Sequence, residues 1–450
     1  MKIVAFLCTW CSYAGADLAG TGRNQYPPNI RVIRIPCSGR INPIYIIKAL
    51  LEGADGVMVS GCHPGDCHYL VGNYFARRRF VVLKELLTVA GFNPDRVQFT
   101  WVSASEGVRF ADVVRDVTEK VAAAVESEKQ RDRCSASSSQ RDDSTGTKVC
   151  QGDGSLDTFS SQQTKLISLC KKLLDDGAVN KIIGFQAGGE MGLSIPYFIS
   201  TSFDADKLVW NDRCVPMLSD YLRGIHGKIA IVAKPCDARA THNLIVENQL
   251  KRDDVYIIGM ACDGMCDSDG VLLPACAECS VRVPPVYDTL IGEETQKTLS
   301  QIQGVSQEPS PRSPFDRFRK EMEKCILCYS CRQSCYGCYC KTCLMERGEP
   351  DWQTASPDVG AKMLYHLGRA MHLAGRCVEC GACENACASG VDTRYLIKEV
   401  TDFIKETYSY KTGMDLETEP VMLTYKADDA EIGFQCFGSS DDVTGGAADV

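Results

Sequence analysis

Apolar runs and amphipathic segments alternate through the first 125 residues of the chain. Short apolar runs lie at residues 2–7, 30–35, 56–59 and 97–102, and segments with helical periodicity lie at 43–52, 69–90 and 107–125. Short apolar runs separated by helical segments are typical of a parallel sheet with helices on its faces. The pattern therefore predicts a parallel-sheet α/β domain over residues 1–125.

A second α/β domain is predicted at residues 164–292. Its predicted strands lie at 181–185, 228–233 and 255–260, and its predicted helices at 166–174 and 237–250. Segments poor in large apolar residues flank this domain at 126–163 and 293–313, and both are predicted to be flexible linkers. Cys134 and Cys150 fall in the first linker and are interpreted as incidental, because a flexible segment holds a metal cluster poorly.

The last predicted module spans residues 314–409 and is mostly helical. Helical segments precede and follow its two cysteine runs, at 315–324, 361–374 and 395–406. The tail, residues 410–450, is acidic with a glycine-rich end, and we expect it to be disordered or to wrap a partner. The predicted fold class is thus α/β for two domains, followed by a helical module.

Composition and charge exclude several classes of protein. The 450 residues are 44% hydrophobic and 24% charged, as in globular proteins, and the net charge of −9 argues against a nucleic-acid partner. The chain has no apolar run of membrane-spanning length and no signal-peptide pattern, so we expect a cytoplasmic location. In such a chain, 26 cysteines indicate metal or redox chemistry and an anaerobic host.

Two cysteine runs share the spacing C-x2-C-x2-C-x3-C. The first consists of Cys325, Cys328, Cys331 and Cys335, and the second of Cys377, Cys380, Cys383 and Cys387. This doubled pattern is typical of bacterial ferredoxins with two [4Fe–4S] clusters, in which the fourth cysteine of each run ligates the other cluster. The predicted ligand sets are Cys325, Cys328, Cys331 and Cys387 for cluster A, and Cys377, Cys380, Cys383 and Cys335 for cluster B. Zinc, the alternative, prefers two separate C-x2-C pairs.

Three further cysteines follow the first run, and two arginines precede the second. Cys338, Cys340 and Cys343 exceed the eight thiolates that two clusters need, and they either complete another cluster or line a partner site. Arg369 and Arg376 could raise a cluster's potential, but a solvated helix face is the favoured interpretation for Arg369.

Five cysteines are predicted to meet at one edge of the first sheet. Cys8 and Cys11 follow the first predicted strand, Cys37 the second, and Cys62 and Cys67 the third. Because the carboxyl ends of parallel strands share one edge, where ligands bind, this placement predicts a metal site with one thiol to spare. The neighbouring histidines, His63 and His68, are interpreted as hydrogen-bonding loop residues in preference to ligands.

The segments FLCTWCSYAGADLAG, IRVIRIPCSGR and GADGVMVSGCHPGDCHY resemble the delta subunit of methyl-viologen-reducing hydrogenases. The resemblance covers roughly residues 1–125. It implies a [2Fe–2S] cluster ligated by four of the five cysteines. It also implies a link between a hydrogenase or formate dehydrogenase and a flavin-based heterodisulfide reductase.

The middle domain contains the segment KIAIVAKPCD, in which a helix is predicted to begin at Pro235 directly after a strand. A helix N-terminus at this position is an anion-binding geometry. The segment resembles the beta subunits of deazaflavin-reducing hydrogenases and formate dehydrogenases, which implies FAD and an iron–sulfur cluster. The flavin candidates are Lys234, Pro235, Cys236, Asp237, Gly188 and Gly189. The candidates for a further [4Fe–4S] cluster are Cys262, Cys266, Cys276 and Cys279, with Cys214 and Cys236 as possible substitutes.

These patterns predict an iron–sulfur electron-transfer subunit of a cytosolic redox complex, with no catalytic residues of its own. Its donor would be a hydrogenase, a formate dehydrogenase or an NADH-oxidising subunit. Its acceptor would be a heterodisulfide-reductase-like flavoprotein of the kind used in flavin-based electron bifurcation. Two alternatives remain: an FAD-containing dehydrogenase that itself oxidises a nicotinamide or deazaflavin coenzyme, and a zinc-stabilised scaffold.

Overall fold

A computed structural model describes residues 1–135, 156–188, 192–225, 227–293, 313–346 and 358–429. The chain divides into two compact units. Unit 1 comprises Met1–Val81, Asp95–Val125 and Tyr425–Val450, the last described as far as residue 429, and unit 2 comprises Val82–Pro94 and Glu126–Thr424. Within the described ranges, no helix is both long and apolar enough to cross a membrane.

Unit 1 contains a four-stranded, fully parallel sheet with the strand order β2-β1-β3-β4. The strands are β1 (Ile3–Cys8), β2 (Ile30–Ile35), β3 (Gly56–Gly61) and β4 (Val97–Trp101). Cys8 pairs in register with Ile35, and Leu7 pairs with Ser60. The carboxyl ends of β1, β2 and β3 therefore lie side by side.

Four helices accompany this sheet, namely α1 (Ser12–Thr21), α2 (Pro43–Leu51), α3 (Gly72–Val89) and α4 (Gly107–Ser135). Apolar residues of the strands and of α4, such as Leu7, Met58 and Phe110, are fully buried and form one core. The predicted parallel α/β fold is confirmed. Residues 126–135 of the predicted first linker belong instead to α4, which continues its helix beyond the sheet.

The C-terminal segment that begins at Tyr425 belongs to unit 1. The Arg78 guanidinium bonds both carboxylate oxygens of Asp429 at 2.8 and 2.7 Å, and both side chains are buried. Tyr425 stacks on Tyr74 with ring centroids 5.0 Å apart, and Arg77 donates to the carbonyl of Lys426. This part of the predicted disordered tail is therefore bound to helix α3, while residues beyond 429 lie outside the described part of the chain.

Unit 2 contains a five-stranded sheet with the order β6-β5-β7-β8-β9, in which only the edge strand β6 is antiparallel. The strands are β5 (Lys181–Gln186), β6 (Ile195–Ile199), β7 (Ile229–Ala233), β8 (Val255–Met260) and β9 (Thr289–Ile291). The second α/β domain is confirmed. The sequence did not predict β6, a half-exposed strand containing Pro196, or the three-residue strand β9.

The later helices belong to unit 2 and are α5 (Leu156–Asp175), α6 (Pro235–Val246), α7 (Pro274–Ala277), α8 (Pro314–Lys324), α9 (Ser330–Gln333), α10 (Val359–Leu373), α11 (Ala382–Asn385) and α12 (Arg394–Tyr408). Among these described helices, α5 and α6 pack on this sheet, and α8 to α12 form the C-terminal module. The Asp358 side chain caps α10 by accepting from the N–H of Ala361. Helix α10 is buried along most of its length and is therefore the central helix of this module.

The middle α/β domain and the helical module pack together within unit 2. Met217 and Leu244 of the former share a core with Tyr336 of the latter. The buried Glu247 carboxylate accepts from Arg376 at 2.6 Å and from the Tyr339 hydroxyl at 2.8 Å. The two segments that the sequence predicted as separate domains are therefore parts of one compact body.

Candidate iron–sulfur sites

The sheet of unit 1 brings five thiols together at the carboxyl ends of its strands. The Cys8 and Cys62 sulfurs lie 3.8 Å apart, and the Cys37 and Cys67 sulfurs lie 3.7 Å apart. These four cysteines are buried, whereas Cys11 is half-buried. The predicted convergence of thiols at this edge is therefore present in the structure.

Hydrogen bonds between the thiols of this site shift their pKa values in opposite directions. Hydrogen bonds from Cys37 and Cys62 lower the pKa of Cys8, and the same contacts raise the pKa values of Cys37 and Cys62. Burial raises the pKa of Cys11. A first thiolate is thus stabilised by its neighbours, but several thiolates together need a cation such as iron to compensate their charge.

The sulfur positions fit a two-iron cluster. Two thiolates on one tetrahedral metal, with bonds of about 2.3 Å, lie about 3.8 Å apart. Each of the two sulfur pairs matches this spacing, so that each pair fits one iron. Among the residues that the structure describes, no three His, Cys, Asp or Glu side chains form a site for a single metal ion.

Gly72, the first residue of α3, leaves space beside two of these sulfurs. A Cβ atom at this position would lie 2.6 Å from the Cys37 sulfur and 3.4 Å from the Cys67 sulfur. Any side chain here would therefore press into the thiol site. The sequence around Gly72 gives no sign of this role, because only the fold brings the residue next to Cys37.

The two histidines of this loop have partners other than the thiols. The Nε2 atom of His63 lies 2.8 Å from a carboxylate oxygen of Glu106, and the His68 ring stacks on Trp10 at 3.8 Å. Both contacts agree with their interpretation as loop residues. The ligand candidates of this site thus remain the cysteines.

The two cysteine runs of unit 2 adopt the same backbone conformation. Leu327 and Glu379, two residues after the first cysteine of each run, have φ angles of 54° and 62°. Tyr329 and Gly381, which follow the second cysteine, have φ angles of 61° and 73°. Each run then enters a short helix, α9 or α11. The repeated spacing in the sequence is therefore a structural repeat.

This strained conformation directs backbone N–H groups at sulfur. The Leu327 N–H donates to the Cys325 sulfur at 3.4 Å, and the Glu379 N–H donates to the Cys377 sulfur at 3.3 Å. Non-glycine residues adopt positive φ angles at a cost, which proteins accept mainly at functional sites. Hydrogen bonds to sulfur of this kind stabilise a thiolate and the electrons of a bound cluster. The loops therefore fit iron–sulfur clusters.

The ligands predicted for cluster A line a single pocket. Cys325, Cys328 and Cys331 of the first run surround it together with Cys387 of the second run. Tyr365 of α10 also lines this pocket. We name this group of four thiols site A. The fold thus supplies the crossed arrangement, three cysteines from one run and the fourth from the other.

The ligands predicted for cluster B also lie near one another, and we name them site B. Burial, and then the charges of Cys383 and Cys335, raise the pKa of Cys377 to about 12. Burial likewise raises the pKa of Cys380 well above its ordinary value, and the charges of Cys335 and Cys377 raise it further. Cys335 of the first run therefore lies among the thiols of the second.

The three surplus cysteines occupy different surroundings. Cys338 lies against Cys335, a contact that raises the pKa of Cys338. Cys340 is exposed, and the backbone N–H of Cys343 donates to the carboxylate of Glu346. Their predicted role in a further cluster stays a prediction.

Lys234 and Asp237 of the predicted flavin segment are buried and bonded to each other. The Lys234 ammonium lies 2.9 Å from the Asp237 carboxylate and also donates to the carbonyls of Cys214 and Pro216. Asp237 also accepts from the backbone N–H of Ser219. Pro235 begins α6 as predicted, but the chain's own carboxylate occupies the first turn of this helix, where the sequence predicted a flavin phosphate.

The glycine pair predicted to approach the flavin is described only in part. A Cβ atom at Gly188 would lie 1.6 Å from the carbonyl oxygen of Leu193, so this glycine permits a tight loop. Gly189 lies outside the described residues. The predicted role of this set in binding a flavin stays a prediction.

Four thiols of the middle domain form a group that differs by one member from the predicted set. Burial raises the pKa of Cys236 well above its ordinary value, and the charges of Cys262 and Cys276 raise it further. Burial, and then Cys276 and Cys279, raise the pKa of Cys262 to about 12. Cys266 is disulfide-bonded, so the group contains Cys236 in its place. We name these four thiols site C.

Sites B and C are neighbours. The charge of Cys236 contributes, after burial, to the raised pKa of Cys380. A Cβ atom at Gly381 would lie 2.6 Å from the Cβ atom of Ala275, next to Cys276. The loop of the second cysteine run therefore packs directly against α7, next to the thiols of site C.

Comparisons with known proteins concern the N-terminal region. Residues 3–124 match the family model described as methyl-viologen-reducing hydrogenase, delta subunit. The chain is 55% identical over 122 residues to an iron–sulfur subunit of the F420-non-reducing hydrogenase vhc of Methanococcus voltae, an alignment that covers 27% of this chain and 85% of that protein. An iron–sulfur subunit of the F420-non-reducing hydrogenase of Archaeoglobus profundus is 54% identical over 115 residues, which cover 26% of this chain and 84% of that protein.

A second class of relative carries the same region within a longer chain. One subunit of the ferredoxin:CoB-CoM heterodisulfide reductase of Methanosarcina mazei is 50% identical over 119 residues, which make up 26% of this chain and 15% of that protein. These relatives therefore resemble this chain over about its first quarter, the part that contains the five-thiol site.

Proposed function

Because the chain belongs, through residues 3–124, to the family of methyl-viologen-reducing hydrogenase delta subunits, we propose that it relays single electrons between the partners of a redox complex. Iron–sulfur clusters, when bound, accept and release one electron at a time. The residues of the chain hold the clusters, exclude water from them and direct N–H groups at their thiolates.

The observation that carries this proposal is the adjacency of the thiol sites in unit 2. Sites A and B each draw thiols from both cysteine runs, and site C lies directly beside site B. A scaffold stabilised by separate metal ions would not need such adjacency. A relay needs it, because an electron passes efficiently only between neighbouring cofactors.

We assign a [2Fe–2S] cluster to unit 1 and [4Fe–4S] clusters to sites A, B and C. The paired sulfur spacing supports the first assignment, and the matched loops support the clusters of sites A and B. For site C, the four half-buried cysteines Cys236, Cys262, Cys276 and Cys279 would serve as ligands.

The proposed partners follow from the relatives. Relatives named as iron–sulfur subunits of hydrogenases support a hydrogenase as donor, and the alternatives are an NADH-oxidising subunit or a formate dehydrogenase. A relative that is named as part of a heterodisulfide reductase contains a region like residues 3–124, which supports a heterodisulfide-reductase-like flavoprotein as acceptor. Substrate chemistry would then take place on the partners.

Anaerobic purification of the full chain with metal and flavin analysis tests the proposal. We expect iron and acid-labile sulfide, visible absorption bleached by dithionite, and EPR signals that develop during reductive titration. Zinc with little iron would refute the relay and support the scaffold. Bound FAD together with dehydrogenase activity of the single chain would favour the alternative of an enzyme in its own right.

A further inference from the structure

Arg369 is a buried cation that pairs with no carboxylate among the described residues. It lies on α10 with 5% of its surface exposed. Its Nη2 atom donates to the carbonyl of Cys331 at 3.0 Å, and its Nε atom has no hydrogen-bond partner. A buried charge without compensation is strongly unfavourable. Another source of negative charge must therefore stabilise this guanidinium, and the expected solvated position is wrong.

Thiols from both cysteine runs lie near this guanidinium and would carry negative charge once they ligate clusters. Cys383, Cys335, Cys338 and Cys331 all act electrostatically on Arg369. Because Cys331 belongs to site A and Cys335 and Cys383 to site B, this one cation faces both sites.

The same helix presents two weaker polar groups to site A. The Tyr365 hydroxyl lies 3.5 Å from the Cys331 sulfur, and the Nε2 atom of His366 lies 3.4 Å from the Cys325 sulfur. Two cations of α10 act on the thiols of site A, Lys362 on Cys325 and Arg369 on Cys331. Of these two, Arg369 is the one that also acts on Cys335 and Cys383 of site B.

We propose that Arg369 sets the reduction potentials of the clusters at sites A and B together. The inference rests on the proposed function, since it requires that clusters are bound there. Reduction transfers one electron from the donor protein to a cluster, with no proton and no change of bonds, and makes the cluster more negative. A fixed cation in a medium of low dielectric constant stabilises that product, so it raises both potentials.

The test is an EPR-monitored redox titration of the anaerobically purified full chain and of its Arg369→Met and Arg369→Lys variants. Methionine keeps much of the side-chain volume and removes the charge, whereas lysine keeps the charge. We expect Arg369→Met to lower the equilibrium constant for reduction at least tenfold in both titration steps, which corresponds to about 59 mV for a one-electron couple. Arg369→Lys should stay within threefold of wild type.

The matched control is Arg319→Met, which removes an arginine that is exposed on α8 and pairs with Glu323. Water screens that charge, so both steps should stay within threefold of wild type. Potentials of an iron-loaded Arg369→Met variant that match the control would overturn the inference and leave the proposed relay intact. A wild-type chain without cluster signals would refute the relay itself.

If Arg369→Met does not retain iron, the lysine variant decides. An iron-loaded Arg369→Lys chain with potentials near wild type supports a role of the positive charge. A tenfold shift in that variant, or loss of its iron, overturns the inference, because charge alone would then not account for the arginine.

Discussion

Cys8 pairs closely with Cys62 in unit 1, and Cys37 pairs with Cys67, whereas the half-buried Cys11 belongs to neither close pair. A hydrogen bond to Cys62 and the charges of Cys8, Cys67 and Asp66 also act on Cys11. We therefore propose Cys11 as the spare thiol among the five candidates, a choice that the sequence left open.

We therefore predict that Cys11→Ser retains the [2Fe–2S] cluster, while serine at any of the other four positions removes or alters it. The reason is that only those four sulfurs have the paired spacing that two irons require. Iron content and the EPR spectrum of the reduced full chain measure the outcome. Loss of the cluster in Cys11→Ser, with a normal cluster in one of the other variants, would contradict the assignment.

Gly72 gives a second prediction at the same site. Gly72→Ala should prevent assembly of the [2Fe–2S] cluster, because the added methyl group would lie 2.6 Å from the Cys37 sulfur. Gly20→Ala is the matched control, since nothing lies within 4 Å of a Cβ atom at that helical position. Iron analysis of both variants should show a loss in the first alone. A full iron complement in Gly72→Ala would refute the steric argument.

The site roles of single residues were predictable where the spacing of cysteines along the sequence indicates metal binding. The cysteines of both runs and of the strand ends belong to this class, since strand ends converge in any parallel sheet. The exposure of Arg369 was predicted wrongly, because two cysteine runs that are distant from each other in sequence bury its face of α10. Cys236 was predicted as a flavin candidate and only as a possible substitute in the further cluster, because its proximity to Cys262 depends on the packing of the whole domain.

Matched loops are the main feature at the scale of elements. Leu327, Tyr329 and Glu379 adopt left-handed conformations that glycine would adopt more easily, and only Gly381 uses glycine at the equivalent position. The difference has a steric reason, because Gly381 packs against Ala275 whereas Tyr329 packs against the ring of Tyr365. The loops thus share a backbone but differ in their neighbours.

Gly381→Ala should destabilise unit 2 and perturb site B. The left-handed conformation costs about 1–3 kcal/mol for a non-glycine residue, and the contact with Ala275 adds to this cost. The double variant with Ala275→Gly should recover only the part of the lost stability that comes from the contact between the two methyl groups. Free energies of unfolding, with iron content, measure both effects. Wild-type stability of Gly381→Ala, or complete rescue by Ala275→Gly, would show that the backbone conformation is not strained.

Elements with a strong apolar pattern were predictable within a few residues. Strands β1, β3, β4, β5, β7 and β8 belong to this class, because each consists mostly of buried apolar residues. The edge strand β2 was predicted from its apolar run as well, although its residues are mostly exposed. The edge strand β6 and the short strand β9 were not, since pairing with a neighbour determines them more than their own sequence does. Helix α4 is longer than predicted. Its polar continuation lacks the apolar periodicity of a buried helix face, so the sequence did not indicate it.

At the scale of the molecule, an ion pair attaches the returning C-terminal segment to unit 1. Burial alone would raise the pKa of Asp429, but hydrogen bonds from Arg78 and from the Lys426 N–H hold it below its ordinary value. A carboxyl whose pKa is lowered by folding stabilises the folded state above its unfolded pKa of about 4. That contribution is lost as the pH falls through the folded pKa.

Asp429→Asn should therefore release the segment and cost about 3 kcal/mol, because it removes the buried carboxylate that accepts two hydrogen bonds from the Arg78 guanidinium. The exposed neighbour offers the control Asp428→Asn, which should leave the segment bound. Hydrogen exchange of residues 425–429 at neutral pH and near pH 3 measures the effect. We expect acid to release the wild-type segment and to change the Asn variant little. Equal protection of both chains at neutral pH would contradict the prediction.

The division of the chain into two units also determines the order in which they can be completed during synthesis. Unit 1 begins at the first residue but includes Tyr425, so about 300 residues of unit 2 are made between its last two parts. At 5–20 residues per second, this interval is roughly 15–60 s. During that time the α3 surface that later binds Tyr425 and Asp429 is exposed on the ribosome-bound chain. Unit 2 therefore has the opportunity to fold, and to receive its iron, before unit 1 is closed.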